Sequence, residues 1–110
     1  MKTIDVIEKM ALTPVVMADG NREIKSAYCG DFLSFSISKQ GESCIWFTVM
    51  NNVNVAGVAS LTDCALIVLC EGVMPDEALT MRAKMVGINI ATTEKSAYQA
   101  AIDYYKISES

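Results

Sequence analysis

Four cysteines and thirteen carboxylates, with no histidine to serve them, are the residues from which this 110-residue chain could build a reaction. The missing imidazole removes the commonest general base at neutral pH, and with it every Ser-His or Cys-His nucleophile arrangement. Cys29, Cys44, Cys64 and Cys70 stand 15, 20 and 6 residues apart. No Cys-x-x-Cys pair is therefore present to grip zinc or run disulfide exchange, and no metal site is expected. Cys44, Cys64 and Cys70 lie in or beside apolar runs, where a thiol acts as a small buried hydrophobe. Cys29 differs, because Cys29-Gly30-Asp31 places it at a turn ahead of a helix start, a setting that can stabilise a thiolate. Its neighbour Asp31 opposes that charge, and no base accompanies it, so no catalytic residue is assigned.

The acids have ordinary explanations. Asp76 and Glu77 follow Pro75 at the positive end of an expected helix, and Asp63 reads as a loop residue. Neither Gly-x-Gly-x-x-Gly nor Gly-x-x-x-x-Gly-Lys-Ser/Thr occurs, so no cofactor is expected from a dinucleotide fingerprint or a P-loop. Met50, Met74, Met81 and Met85 have no metal-binding spacing and read as core filling or contact surface, and Trp46 reads as core.

A net charge of −4 and an isoelectric point near 4.6 repel a phosphate backbone, and no basic cluster offsets this, so nucleic acid is not an expected partner. No apolar run reaches the 18 to 20 residues of a bilayer span, and the first eleven residues carry Asp5 and Glu8, unlike a signal peptide. The expected location is the cytoplasm, where reduced thiols persist. The length suits one domain over residues 1–110. With 52% hydrophobic and only 20% charged residues, part of the apolar surface is available for an interface.

The elements that must position any site follow from the hydrophobic pattern. Thr3 is placed to cap a helix over Ile4 to Ala11 with Ile4, Ile7 and Ala11 as its apolar stripe, and Pro14 to mark its stop. Val15 to Met17 and Glu23 to Tyr28 flank the turn-rich Ala18-Asp19-Gly20-Asn21 and read as strand, turn, strand. Asp31 is placed to cap a short helix through Phe32, Leu33, Phe35 and Ile37. The strongest signal is the pair of unbroken apolar runs Cys44 to Met50 and Ala65 to Cys70, joined by the small-residue stretch Val55 to Leu61. Strands buried on both faces read as continuous runs, so this is a βαβ unit of a parallel sheet. Pro75 fits the first turn of a helix that has Arg82 and Lys84 near its carboxyl end and Gly87 as its terminator. Ile88 to Ala91 forms a further strand, Thr92-Thr93 offers a cap, and a last helix runs from Lys95 to Lys106 with Tyr98, Ile102 and Tyr105 on one face. Residues 107–110 are expected to fray. The fold class is a single α/β domain with a mostly parallel sheet between helical layers.

In such a sheet, ligands collect at the carboxyl ends of the strands, where loops lead into helix amino termini. Four segments would share that rim, giving as candidate ligand-binding residues Cys29, Gly30, Asp31, Asn51, Asn52, Asn54, Glu71, Gly72, Thr92, Thr93 and Ser96. The asparagines offer donors and acceptors without charge, which suits a neutral polar group, or one charged group balanced by backbone dipoles.

From Glu23 onward, and above all across Cys44 to Tyr98, the chain resembles the DRTGG domain family, related to the amino-terminal domain of HPr kinase/phosphorylase. The shared pattern is apolar strand, polar loop, helix, apolar strand, then the glycine loop and proline-led helix of Ala65-Leu66-Ile67-Val68-Leu69-Cys70-Glu71-Gly72-Val73-Met74-Pro75. Val86-Gly87-Ile88-Asn89-Ile90 and Ser96-Ala97-Tyr98 look like the family's closing strand and helix. Where the family has Asp-Arg this chain has Asn51-Asn52, and where it has Thr-Gly-Gly this chain has Cys70-Glu71-Gly72. Gly72, Pro75 and Tyr98 alone are carried over, as structural positions. The resemblance implies a non-catalytic regulatory or oligomerising module with adenine nucleotides as a ligand class; with Asn51, Asn52, Asn54 and the caps at the rim, the expectation is a homodimer that receives a nucleotide or small phosphorylated metabolite there. The alternative is a pure interaction or oligomerisation domain docking on a larger partner enzyme.

Overall fold

Alternating strands and helices fill the chain in the computed structural model, which describes residues 1–109. In order they are α1 (Thr3–Lys9), β1 (Thr13–Val16), β2 (Ser26–Cys29), α2 (Leu33–Lys39), β3 (Cys44–Thr48), α3 (Asn54–Thr62), β4 (Leu66–Leu69), α4 (Glu77–Val86), β5 (Ile90–Thr92) and α5 (Ala97–Ser108). The strands form one sheet in the order β1-β5-β4-β3-β2. β2, β3, β4 and β5 run parallel, and β1 pairs antiparallel with β5. The expected α/β class with a mostly parallel sheet is the observed one.

Two cores follow from the period of two along the central strands. Trp46, Ile67, Leu69 and Ile90 face one way and pack with Val55, Val58, Leu79 and Ala83 of α3 and α4. Ile45, Phe47, Leu66, Val68 and Ala91 face the other way, onto Val6, Ile7 and Met10 of α1 and Ala100 of α5. Burial of every residue in β3 and β4 explains why their sequences read as unbroken apolar runs.

Several local expectations are overruled by distant partners. Thr3 is not a cap: it is the first helical residue, fully buried, and its hydroxyl donates to the Arg22 carbonyl at 2.8 Å. The inward stripe of α1 is Val6, Ile7 and Met10, while Ile4 and Ala11 are exposed. Pro14 does not stop that helix; it sits inside β1 opposite Ala91, on an edge strand where its missing N–H leaves no gap in the ladder. The run around Asp19 does not join paired strands, because β1 and β2 lie at opposite edges of the sheet. The segment is held by Asn89, whose Nδ2 donates to the carbonyls of Asp19 (2.8 Å) and Ala65 (3.0 Å), and whose Oδ1 accepts from Asp19 N–H at 2.9 Å.

Pro75 precedes the helix cap rather than opening the first turn: Asp76 is the cap, with its carboxylate accepting from Leu79 N–H at 2.7 Å. Gly87 terminates α4 as expected, at φ 76°. Thr92 ends β5 instead of capping, and Ser96 caps α5 by accepting from Gln99 N–H. α5 continues through Ile107, which packs on the core with Ala97, Ala101 and Tyr104. The face shared by Tyr98 and Tyr105 points outward.

Candidate functional site

Because β2 to β5 run in one direction, their carboxyl ends bring the four loop segments to a single rim of the sheet. The rim has two halves. On the β2/β3 side, Asp31 is not the cap of α2, whose cap position belongs to Phe32. The Asp31 carboxylate instead accepts through one oxygen from Thr48 Oγ1 at 2.7 Å and Val49 N–H at 2.9 Å, fastening the exit of β3 to the exit of β2. Gly30 donates its N–H to the Phe47 carbonyl, and its own carbonyl receives the Trp46 indole N–H at 2.9 Å. A Cβ at Gly30 would meet the Tyr28 hydroxyl oxygen at 2.7 Å, so glycine permits that ring to fold over the turn. Cys29 ends β2 with its side chain partly exposed; desolvation of the sulfur and the nearby Asp31 carboxylate push its thiol up, away from the thiolate a nucleophile needs.

On the β4/β5 side, Glu71 and Gly72 are successive left-handed residues, at φ 62° and 72°. Their N–H groups donate to the carbonyls of Lys95 and Thr93, which sews the β4 loop to the β5 loop. Thr92 is buried, and Thr93 Oγ1 accepts from Lys95 N–H. Asn51 bridges the halves: its Nδ2 donates to the Met74 carbonyl and its carbonyl accepts from Asp76 N–H. Asn52 accepts from Asn54 N–H through Oδ1 at the start of α3, where Asn54 stands exposed.

Most of the expected polar residues thus share the rim, with their hydrogen-bonding groups spent on shaping it. The concavity lies on the β2/β3 side, a hollow of about 430 Å³ lined by Asp31, Phe32 and Met50. The sequence places Phe32 in a helix and Met50 in the core or a contact surface; in the structure Phe32 is 73% exposed and Met50 half-buried. An aromatic residue directly after a glycine-acid turn at a strand end was the available signal for Phe32. The four rim segments carry three acids, Asp31, Glu71 and Glu94, against Lys95, which pairs with Asp103 at 2.6 Å. Among the described residues no three His, Cys, Asp or Glu side chains gather in a metal-binding cluster, and no helix is long and apolar enough to cross a membrane. Cys29, Cys44, Cys64 and Cys70 are all free thiols.

Sheet order, helical layers and rim define a small α/β domain that presents its loops at one sheet rim. More particularly, the fold is DRTGG-like. It is similar to that of a crystal structure of the CBS and DRTGG domains of the regulatory region of Clostridium perfringens pyrophosphatase, complexed with activator, diadenosine tetraphosphate, with a TM-score of 0.73 over 89% of this chain at 12% identity. The chain spans 43% of the length of that protein chain. No protein-family model matches the sequence, and no curated protein matches it.

Proposed function

We propose that the chain is a non-catalytic regulatory module of the cytoplasm, homodimeric, which receives the nucleoside part of a nucleotide-class ligand in the hollow at Asp31, Phe32 and Met50. The observation that carries this reading is the strand-end hollow that Asp31 and the 73% exposed Phe32 line together, the Phe32 ring standing edge-on to Phe35 at 5.8 Å. A flat base stacks on such a ring, and a carboxylate accepts from an amino or sugar hydroxyl group. The acidic balance of the rim turns phosphates outward to solvent or to a counterion rather than into the hollow. The similar pyrophosphatase region, complexed with a dinucleotide activator, supports the ligand class, and four free thiols suit a reducing compartment.

Thermal-shift titration with diadenosine tetraphosphate, adenosine and inorganic phosphate tests the reading. Both adenosine compounds should raise Tm, by about 10 °C at a hundred times the dissociation constant, while phosphate alone should not. Phe32→Ala should abolish the shift, and Asp31→Ala should weaken it. Inactivity of both adenosine compounds up to about 1 mM, or an equal response to phosphate, would overturn the ligand assignment.

A second reading, an interaction domain that docks on a larger enzyme without a ligand, is favoured by one observation: the similar fold forms 43% of a longer regulatory chain. Absence of any nucleoside shift combined with a stable complex with a separate enzyme would select it.

A further inference from the structure

At the end of the sheet opposite the rim, two thiols meet. Cys44 opens β3 and Cys64 leads into β4, and their Sγ atoms lie 3.9 Å apart in the buried layer that faces α3. The backbone arranges this meeting. Each cysteine follows a non-glycine residue in the left-handed region, Ser43 at φ 48° and Asp63 at φ 57°, a rare conformation that turns the chain sharply into its strand. Arg22 fastens both turns: its Nε donates to Ser43 Oγ at 3.0 Å, and its Nη2 donates to the Asp63 carbonyl at 2.7 Å and pairs with the Asp63 carboxylate at 3.1 Å. One guanidinium thus holds the two strand entrances side by side. The Cys44 thiol also donates to Gln40 Oε1 at 3.2 Å, and the Thr62 hydroxyl stands 2.9 Å from the same oxygen. On that same amide, Nε2 is buried with no partner among the described residues. A single buried thiol is a small apolar filler, but two thiols in contact beside an unmatched donor have the makings of a reactive pair.

We propose that Cys44 and Cys64 form a reversible dithiol–disulfide pair that hydrogen peroxide oxidises on the folded chain. Closing 3.9 Å to a bond of about 2.0 Å asks each sulfur to move by about 1 Å, a shift that the two side chains share. The oxidant is scarcely larger than water, and the half-buried Gln40 is the neighbour through which it reaches Cys44. The hydrogen bond shared with Cys64 holds the Cys44 thiol below its ordinary value, whereas the same bond and burial push Cys64 up, so Cys44 is the attacking sulfur and Cys64 the resolving one. The Cys44 thiolate attacks one peroxide oxygen: the O–O bond breaks, an S–O bond forms, and the departing hydroxide takes up the proton that Cys44 released and leaves as water. Cys64 Sγ then attacks Cys44 Sγ: the S–O bond breaks, the S–S bond forms, and the second hydroxide leaves as water with the proton of Cys64. Two thiols are oxidised and one peroxide is reduced to two waters. Between the two steps Gln40 Nε2 supplies a donor for the oxygen that Cys44 carries. The ring so closed contains β3, the loop of Asn51 and Asn52, and α3. A reducing compartment keeps the pair open, and a bridge marks exposure to oxidant.

The test uses the full chain carrying Cys29→Ser, which removes the one exposed thiol. It is treated with hydrogen peroxide in native buffer, its remaining thiols are blocked with N-ethylmaleimide after denaturation, and its peptides are mapped by mass spectrometry. Two free thiols and the mass of two hydrogens should be lost, a single cross-linked peptide pair should join Cys44 to Cys64, and dithiothreitol should restore both thiols. Before that reduction, Tm should lie about 10 °C above that of the untreated chain, since the bridge restricts the unfolded state. The same treatment in urea should give mixed pairings that include Cys70, because the fold alone brings the two chosen sulfurs together. Adding Cys64→Ser, with the far-UV circular dichroism spectrum unchanged, should leave sulfenic acid on Cys44 for dimedone to trap; trapping on Cys70 instead overturns the assignment of the attacking sulfur. Unchanged thiols after native treatment, oxidation of Cys44 or Cys64 beyond sulfenic acid without a bridge, or a bridged chain that melts below the reduced one would each overturn the proposal.

Discussion

The indole N–H of Trp46 donates to the carbonyl of Gly30 across 2.9 Å, which ties the centre of the sheet to the turn that precedes Asp31. Trp46 is fully buried in β3 and is the chain's single tryptophan, so its emission reports the state of one loop. A ligand seated against Asp31 and Phe32 should change that emission, with a midpoint matching the thermal-shift titration. Trp46→Phe should keep the fold but cost about 1–3 kcal/mol, since the Gly30 carbonyl loses its donor; urea unfolding measures this.

Asn89 is a buried polar residue that ties distant segments together. Its amide serves two carbonyls and one N–H inside the protein, joining the entry of β4 at Ala65 to the loop at Asp19, which lies 70 residues from Asn89 in sequence. Asn89→Ala should destabilise the chain by about 2–4 kcal/mol, because it strands buried groups as well as removing bonds. Equilibrium denaturation should show a lower midpoint, and proteolysis should begin near Asp19.

The β3–α3–β4 unit, α4 and the parallel rim were legible because their signals are local or periodic: unbroken apolar runs, an acid after Pro75, and Gly87 where the chain turns left-handed. The true roles of Thr3 and Asp31, neither of which caps a helix, were not. Both residues have good capping chemistry, and both are taken by partners far along the chain, Arg22 for Thr3 and Thr48 with Val49 for Asp31. The opposite-edge placement of β1 and β2 was equally hidden, since a turn-rich link between two extended runs has the same sequence whether the strands pair or part. In α1 the periodic stripe was read with Ile4 and Ala11 in place of Val6 and Met10, the residues the sheet covers. At the site, sequence located the rim but not its hollow, because an exposed Phe32 is written in the same letters as a buried one.

Cysteine labelling tests the non-catalytic reading. Cys29 alone among the four thiols is exposed, so iodoacetamide on the native chain should modify that residue and spare Cys44, Cys64 and Cys70. The reaction should be slow at neutral pH and rise on the alkaline side of an ordinary thiol, since burial and Asp31 both disfavour the thiolate. Rapid labelling at pH 7 would argue for a nucleophile.

Alkali should unfold the protein in a defined window. Burial pushes the Cys70 thiol up to about 11, from an ordinary value of 9.0. Below pH 9 the folded and unfolded chains both hold that proton, and the stabilisation is complete. From pH 9 to about 11 the unfolded chain releases it first, so folding stability falls through this interval, on the order of 2 kcal/mol for the two-unit difference. Cys70→Ala should flatten that part of the stability profile, measured by urea midpoints from pH 8 to 11.

Pro14 in β1 has a consequence for growth of the sheet. The strand is an outer margin, it lacks one donor, and its register shifts between Pro14 and Val16. Another extended chain laid along that margin would find an interrupted ladder, which disfavours addition of strands into ribbons or fibrils on that side.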